Sequence, residues 1–94
     1  MAGSMESTAV EVVVTGHVQG VFFRAAMREQ AEQLGVTGWV RNEPDGSVHA
    51  HLEGPVDDVQ DLVSWCGHGP PAARVEAVRT DDVEPIGARS FETG

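Results

Sequence analysis

The chain has 94 residues, 40% of them hydrophobic, which is enough for a single domain around one core. Fifteen acidic residues oppose six arginines, and the sequence contains no lysine, so the net charge is −9. Such a charge repels polyanions and argues against nucleic acids and anionic membrane surfaces as partners.

The N-terminal residues contain no basic cluster followed by an apolar run, so they do not predict a secretory signal. No apolar stretch approaches the roughly 20 residues that span a bilayer. We expect residues 1–8 to be a disordered segment or a remnant of cloning, and residues 9–94 to form the domain. The single cysteine, Cys66, rules out an internal disulfide and favours a reducing compartment. We therefore expect a cytoplasmic protein and, with no obvious exposed apolar stripe, a monomer.

The first predicted elements are a strand and a helix separated by a glycine-bounded loop. Residues 10–15 are rich in valine, which predicts a strand with burial on both faces. Residues 22–34 predict a helix, because apolar side chains recur at the spacing of one helical face. Gly35 follows at the position of a helix C-cap. The face consists of Phe23, Met27, Ala31 and Leu34.

A hairpin is predicted next. Residues 36–42 predict a strand, residues 43–46 have the composition of a turn, and residues 47–53 predict the returning strand. Alternation places Val48, Ala50 and Leu52 on one face of that strand and His49, His51 and Glu53 on the other. A metal site on the second face is conceivable, but three donors along one strand do not make a closed site, and we expect a solvated face.

The last part of the chain predicts a second helix and further strands. Residues 56–66 carry an apolar stripe at helical spacing, with Cys66 as a core residue at its end. Residues 73–82 predict a strand with Val75, Ala77 and Arg79 on one face, and Phe91 indicates a short edge strand. The order β-α-β-β-α-β predicts a ferredoxin-like α+β sandwich, an antiparallel sheet with both helices on one face.

The loop between the first strand and the first helix carries the clearest chemical signal. Gly16 and Gly20 allow backbone conformations that turn successive N–H groups toward an anion. The following helix adds its unpaired N–H groups and the positive end of its dipole. Arg24 lies in the first turn, where its guanidinium can hold a phosphate through two hydrogen bonds. Spacing alone leaves a second interpretation open, a tight turn with a surface arginine beside it.

The whole string from Gly16 to Arg24, GHVQGVFFR, closely resembles a signature of the acylphosphatase family. The segment 38–42, GWVRN, resembles the other signature of that family, and the interval between the two also matches. The resemblance extends from about residue 12 to about residue 78.

This resemblance implies a ferredoxin-like fold and hydrolysis of the carboxyl–phosphate bond of acyl phosphates, without metal or cofactor. It implies that Arg24 binds the phosphate and that Asn42 positions the attacking water. It also implies that the backbone N–H groups of the loop cradle the phosphoryl group of the substrate, or inorganic phosphate or another anion. These loop residues are His17, Val18, Gln19, Gly20 and Val21.

Two other functions are weighed against this one. The first is a module of the same fold that binds phosphate or carbamoyl phosphate without turnover, which the presence of both Arg24 and Asn42 disfavours. The second is an RNA-binding βαββαβ domain, which the net charge of −9 and the lack of basic and aromatic residues on the strands disfavour. We expect the His17 side chain to be a bystander, Trp39 to pack or to line the cleft, and Arg41 to lie on the surface.

Overall fold

A computed structural model describes residues 6–94 of the chain. Within these residues, the strands and helices follow the predicted order. They are β1 (Ser7–His17), α1 (Phe23–Leu34), β2 (Thr37–Asn42), β3 (Val48–Pro55), α2 (Val56–Cys66), β4 (Arg74–Asp82) and β5 (Phe91–Thr93).

The first strand begins before the predicted domain boundary at residue 9. Ser7 and Thr8 already belong to β1, where they pair with Pro55 and Gly54 of β3. The predicted disorder is therefore wrong for these two residues, because the neighbouring strand is long enough to pair with them. Glu6 precedes β1, and its carbonyl oxygen accepts a hydrogen bond from the N–H of Val56. Residues 1–5 of the predicted segment lie outside the described residues.

The strands form one sheet in the order β4-β1-β3-β2-β5, and both helices pack on the same face of it. This confirms the ferredoxin-like α+β fold. The four strands of the predicted βαββαβ order pair antiparallel, as expected, and the short fifth strand β5 pairs with β2 in parallel. The reason is the connection, since residues 83–90 cross the helix-free face and start β5 in the direction of β2.

The core lies between the helices and the sheet. The predicted face of α1 is buried at Phe23, Met27 and Ala31, and Gly35 ends the helix in a left-handed conformation. Cys66 is buried at the end of the stripe on α2, and burial raises the pKa of its thiol to about 12. The thiol is therefore protonated at neutral pH and acts as an apolar core group. Neither helix of residues 6–94 has the length and hydropathy of a membrane-spanning helix.

The predicted alternation of the fourth strand is wrong in part, because the strand contains a bulge. The pairing of β4 with β1 shifts at Gly16, which lies opposite Val75, whereas Val14 lies opposite Val78. The irregularity leaves one extra residue in β4, so Val75 and Val78 face the helices together. Ala77 and Arg79, which we predicted beside Val75, face the other way after the bulge and are exposed.

The second face of β3 is also different from the prediction of a solvated surface. His51 and Glu53 are only 2% and 8% exposed, and their side chains share a hydrogen bond of 2.7 Å between Nε2 and Oε2. The crossing segment covers them, because the backbone N–H groups of Ile86 and Ala88 donate to the Glu53 carboxylate. Within residues 6–94 no group of three or more histidine, cysteine or acidic side chains is arranged to hold a metal ion.

This contact leads to a prediction for the pH dependence of stability. Burial opposes ionisation of Glu53, but hydrogen bonds from His51, Ile86 and Ala88 outweigh it and hold its pKa below the ordinary value of 4.5. Because the folded-state pKa is the lower one, the stabilisation is complete above pH 4.5 and is lost as the pH falls through the folded-state pKa. We expect Glu53→Gln to lower the free energy of unfolding by about 2 kcal/mol at neutral pH, since one amide hydrogen must face a backbone donor.

Urea unfolding of the wild type and the variant across the acidic range measures this effect. The difference between the two proteins should narrow as the wild-type carboxylate becomes protonated. Glu76→Gln, which removes the same charge from an exposed position on β4, is the matched control and should be close to the wild type. A pH-independent difference for Glu53→Gln would contradict the prediction.

Candidate active site

A cavity of about 480 Å³ opens where the loop after β1 meets the start of α1, the end of β2 and β5. It brings together residues that lie far apart in the sequence, among them Arg24 and Asn42. The cavity is lined by Val18, Gly20, Phe22, Phe23, Arg24, Ala25, Arg28, Asn42 and Thr93.

The two glycines of the loop are required for different reasons. Gly16 has a φ of +124°, and a Cβ atom there would lie 2.2 Å from the carbonyl oxygen of Arg74 on β4. Any side chain at Gly16 would therefore push the loop away from the sheet edge. Gly20 has open space around it but a φ of +75°, which other residues adopt only at a cost. The sequence places glycine at both positions, and the turn into α1 follows from that.

The backbone of the loop offers a row of unpaired donors. Between Val18 and Phe22, no backbone N–H donates to an acceptor elsewhere in residues 6–94. The helix that follows has no side-chain cap and no acidic residue in its first turn, so the positive end of its dipole is uncompensated. This combination provides a binding site for an anion.

Arg24 lies in the first turn of α1 and is half-buried at the cavity. Its Nη1 donates to the main-chain oxygen of Gly94, directly after β5, which holds the guanidinium in place. Arg28 lines the same cavity one turn further and forms an exposed ion pair with Glu32, with 3.2 Å between Nε and Oε2. Among the described residues that line the cavity there are two arginines and no acidic side chain, although the whole chain is acidic.

Asn42 reaches the cavity from the sheet. It is the last residue of β2, where it pairs with Val48, and its side chain is half-buried. The carboxamide of Asn42 makes no hydrogen bond to any other group of residues 6–94. Its oxygen and its N–H₂ group are therefore both available to a water molecule or to a ligand.

Gln19 has a function that the sequence did not indicate. We predicted its backbone N–H as part of the cradle, but its side chain also joins two segments. Its Nε2 donates to the carbonyl oxygens of Glu43 at 2.8 Å and Ser47 at 3.0 Å, which flank the hairpin turn after Asn42. The loop is thereby held next to the end of β2. The sequence does not indicate this contact, because both acceptors are main-chain oxygens whose positions depend on the fold.

The remaining predicted residues lie at varied positions. The side chain of His17 is exposed and does not line the cavity, and that of Val21 is buried. Trp39 does not line the cavity either, since its indole stacks on His51 on the helix-free face with 6.1 Å between the ring centroids. Arg41 is exposed, as predicted, and lies 4.5 Å above the Trp39 ring. Thr93 lines the cavity and was not predicted, because its position depends on the parallel pairing of β5.

Comparison with known proteins gives a consistent result. A family model described as acylphosphatase matches residues 10–93. The chain is 54% identical over 94 residues to a protein of Rubrobacter xylanophilus named acylphosphatase, with coverage of 98% of this chain and 84% of that protein. It is 56% identical over 88 residues to a Gloeobacter violaceus protein of the same name, covering 92% and 95%. The structure of an acylphosphatase from Coxiella burnetii superposes with a TM-score of 0.91 at 38% identity, covering 94% of this chain and 93% of that one.

Proposed function

The chain belongs to the acylphosphatase family, and we propose that its cavity hydrolyses the carboxyl–phosphate bond of acyl phosphates with Arg24 and Asn42 as catalytic residues. The single observation that carries this proposal is that three groups lie at one cavity. They are the unpaired backbone N–H groups of the loop, the guanidinium of Arg24 and the free carboxamide of Asn42.

The phosphoryl group occupies the loop. Backbone N–H groups of residues 17–21 donate to its oxygens, and the Arg24 guanidinium adds a charged, two-pronged donor. The guanidinium is a cation with two parallel donors, and it neutralises phosphoryl charge without gaining or losing a proton. These donors are already oriented in the free protein, and for that reason they stabilise the transition state without reorganisation.

Asn42 positions the attacking water. Its carboxamide oxygen accepts a hydrogen bond from the water and directs a lone pair at phosphorus, in line with the departing carboxylate. The new bond joins the water oxygen to phosphorus, and the bond between phosphorus and the acyl oxygen breaks. Both water protons stay on the phosphate product. The leaving group is a stable carboxylate, so the reaction needs no general acid, and an amide that orients the water is sufficient at this position.

The proposed reaction is tested with benzoyl phosphate in metal-free buffer that contains a chelator. We expect loss of the acyl phosphate well above the rate of spontaneous hydrolysis, with inorganic phosphate and benzoate formed in equal amounts. A rate no different from the background would overturn the proposal. Binding of inorganic phosphate without turnover would favour the non-catalytic module instead, which the family assignment does not favour.

We further propose that the protein acts as a monomer in the cytoplasm. Among residues 6–94 the exposed large apolar side chains are Phe22 and Ile86, which are far too few to form an extended apolar interface. The one cysteine is buried and unpaired, which suits a reducing compartment.

A further inference from the structure

Phe22 combines two features that are individually unfavourable for a phenylalanine. Its backbone is left-handed, with φ of 66° and ψ of 24°, and among the described residues it alone has a positive φ without being glycine. Its side chain is 81% exposed. A bulky aromatic residue rarely adopts this backbone conformation, and an exposed ring gains nothing from burial.

Neither the backbone nor the packing of the protein explains why a phenylalanine is present. The backbone of residue 22 begins α1, since its carbonyl oxygen accepts from the N–H of Ala26 at 3.0 Å. Glycine or asparagine would adopt the same conformation at a lower cost. The neighbouring Phe23 packs edge-on against Trp65, with 5.3 Å between the ring centroids, but Phe22 has no aromatic partner among residues 6–94. The Phe22 ring is therefore available to a molecule bound in the cavity.

The position of Phe22 indicates what that contact is. It lines the same cavity as Arg24 and Asn42, and it lies between the loop donors and the arginine along the chain. When the loop and Arg24 hold the phosphoryl group, the acyl group must extend away from them, toward the open side of the cavity. Among the residues that line the cavity, Phe22 is the exposed aromatic one, whereas Arg28 and Thr93 are polar.

We propose that the Phe22 ring packs against the acyl group and makes the enzyme prefer acyl phosphates with an apolar acyl group over acetyl phosphate. This inference rests on the proposed function and adds the class of substrate. The exposure of the ring in the free protein fits this role, because covering it with an apolar acyl group removes two apolar surfaces from water at once. An acetyl group has one methyl group and covers little of the ring.

The test compares benzoyl phosphate and acetyl phosphate in the wild type and in Phe22→Asn. Asparagine tolerates the left-handed conformation, so the variant removes the ring and retains the backbone. We expect the ratio of kcat/KM for benzoyl phosphate to that for acetyl phosphate to fall by about three- to tenfold, which is the factor that an aromatic contact contributes. If the substitution also disturbs the phosphate-binding loop, kcat/KM changes by the same factor for both substrates, and this change cancels in the ratio.

Ile86→Asn is the matched control, because Ile86 is also large, apolar and 64% exposed but lies on the crossing segment over the helix-free face. Its ratio should equal that of the wild type. Phe22→Leu retains an apolar side chain, and its ratio of kcat/KM values should lie between those of the wild type and of Phe22→Asn. An unchanged ratio in Phe22→Asn, or an equal change in Ile86→Asn, overturns the inference and leaves the proposed function standing. If the wild type hydrolyses neither substrate, the proposed function itself is wrong.

Discussion

Replacement of Asn42 by alanine is expected to lower kcat for benzoyl phosphate by roughly a hundredfold or more, while the affinity for inorganic phosphate stays close to that of the wild type. The reason is the division of tasks in the cavity. In the proposed mechanism the loop donors and Arg24 hold the phosphoryl group from one side. The Asn42 carboxamide, free of other hydrogen bonds among residues 6–94, holds the water from the other. Its loss leaves the ligand bound but the nucleophile unpositioned.

Steady-state kinetics and calorimetric titration with inorganic phosphate separate these two effects. Gln33→Ala removes a carboxamide from the exposed surface of α1 and serves as the matched control, with kinetics like those of the wild type. Thermal unfolding of Asn42→Ala checks that the end of β2 remains paired. Normal turnover in Asn42→Ala would show that the water is positioned by another group.

Replacement of Arg24 by alanine is expected to weaken both binding and turnover. A charge-assisted hydrogen bond is worth about 1.5–3 kcal/mol, so the Kd for inorganic phosphate should rise by roughly tenfold to a hundredfold. The loss in kcat/KM should be at least as large, because the charge on the phosphoryl oxygens must also be stabilised in the transition state. Arg24→Lys retains the charge and loses the planar pair of donors. Its phosphate affinity and its kcat/KM should lie between those of the wild type and those of Arg24→Ala.

Arg79→Ala makes the same change in net charge at an exposed position on β4 and therefore controls for long-range electrostatics. We expect its phosphate affinity and kinetics to be close to those of the wild type. If the two alanine variants behaved alike, the effect of Arg24 would be one of overall charge and not of contact with the phosphoryl group.

Local patterns in the sequence predicted the elements well where one element meets one buried face. The predicted bounds of α2 coincide with Val56–Cys66, and the buried face of α1 is the one that its spacing indicated. Helical periodicity is a local property of the chain, and a single core on one side gives it a clear phase. The phase of β4 was predicted less well, because the bulge opposite Gly16 is set by the neighbouring strand.

The alternation of β3 was also predicted, but not the surroundings of its second face. His49, His51 and Glu53 do point away from Val48, Ala50 and Leu52, as expected from a period of two. What covers His51 and Glu53 comes from residues more than thirty positions later, since Ile86 and Ala88 donate to the Glu53 carboxylate. No local pattern in the sequence indicates a contact between residues so far apart along the chain. Polar residues at every second position of a strand normally indicate a face that is exposed to solvent.

The candidate site, too, was predicted from the sequence where its residues are neighbours along the chain, and not where they come from separate strands. The sequence by itself determined the loop from Gly16 to Gly20 and the placement of Arg24, since a glycine-bounded turn, a helix start and a residue in its first turn are all neighbours along the chain. Only the tertiary structure decided that Asn42 reaches the same cavity, and that Thr93 lines it too. These residues come from separate strands, and sheet pairing, which depends on contacts across the whole chain, brings them within reach of one ligand.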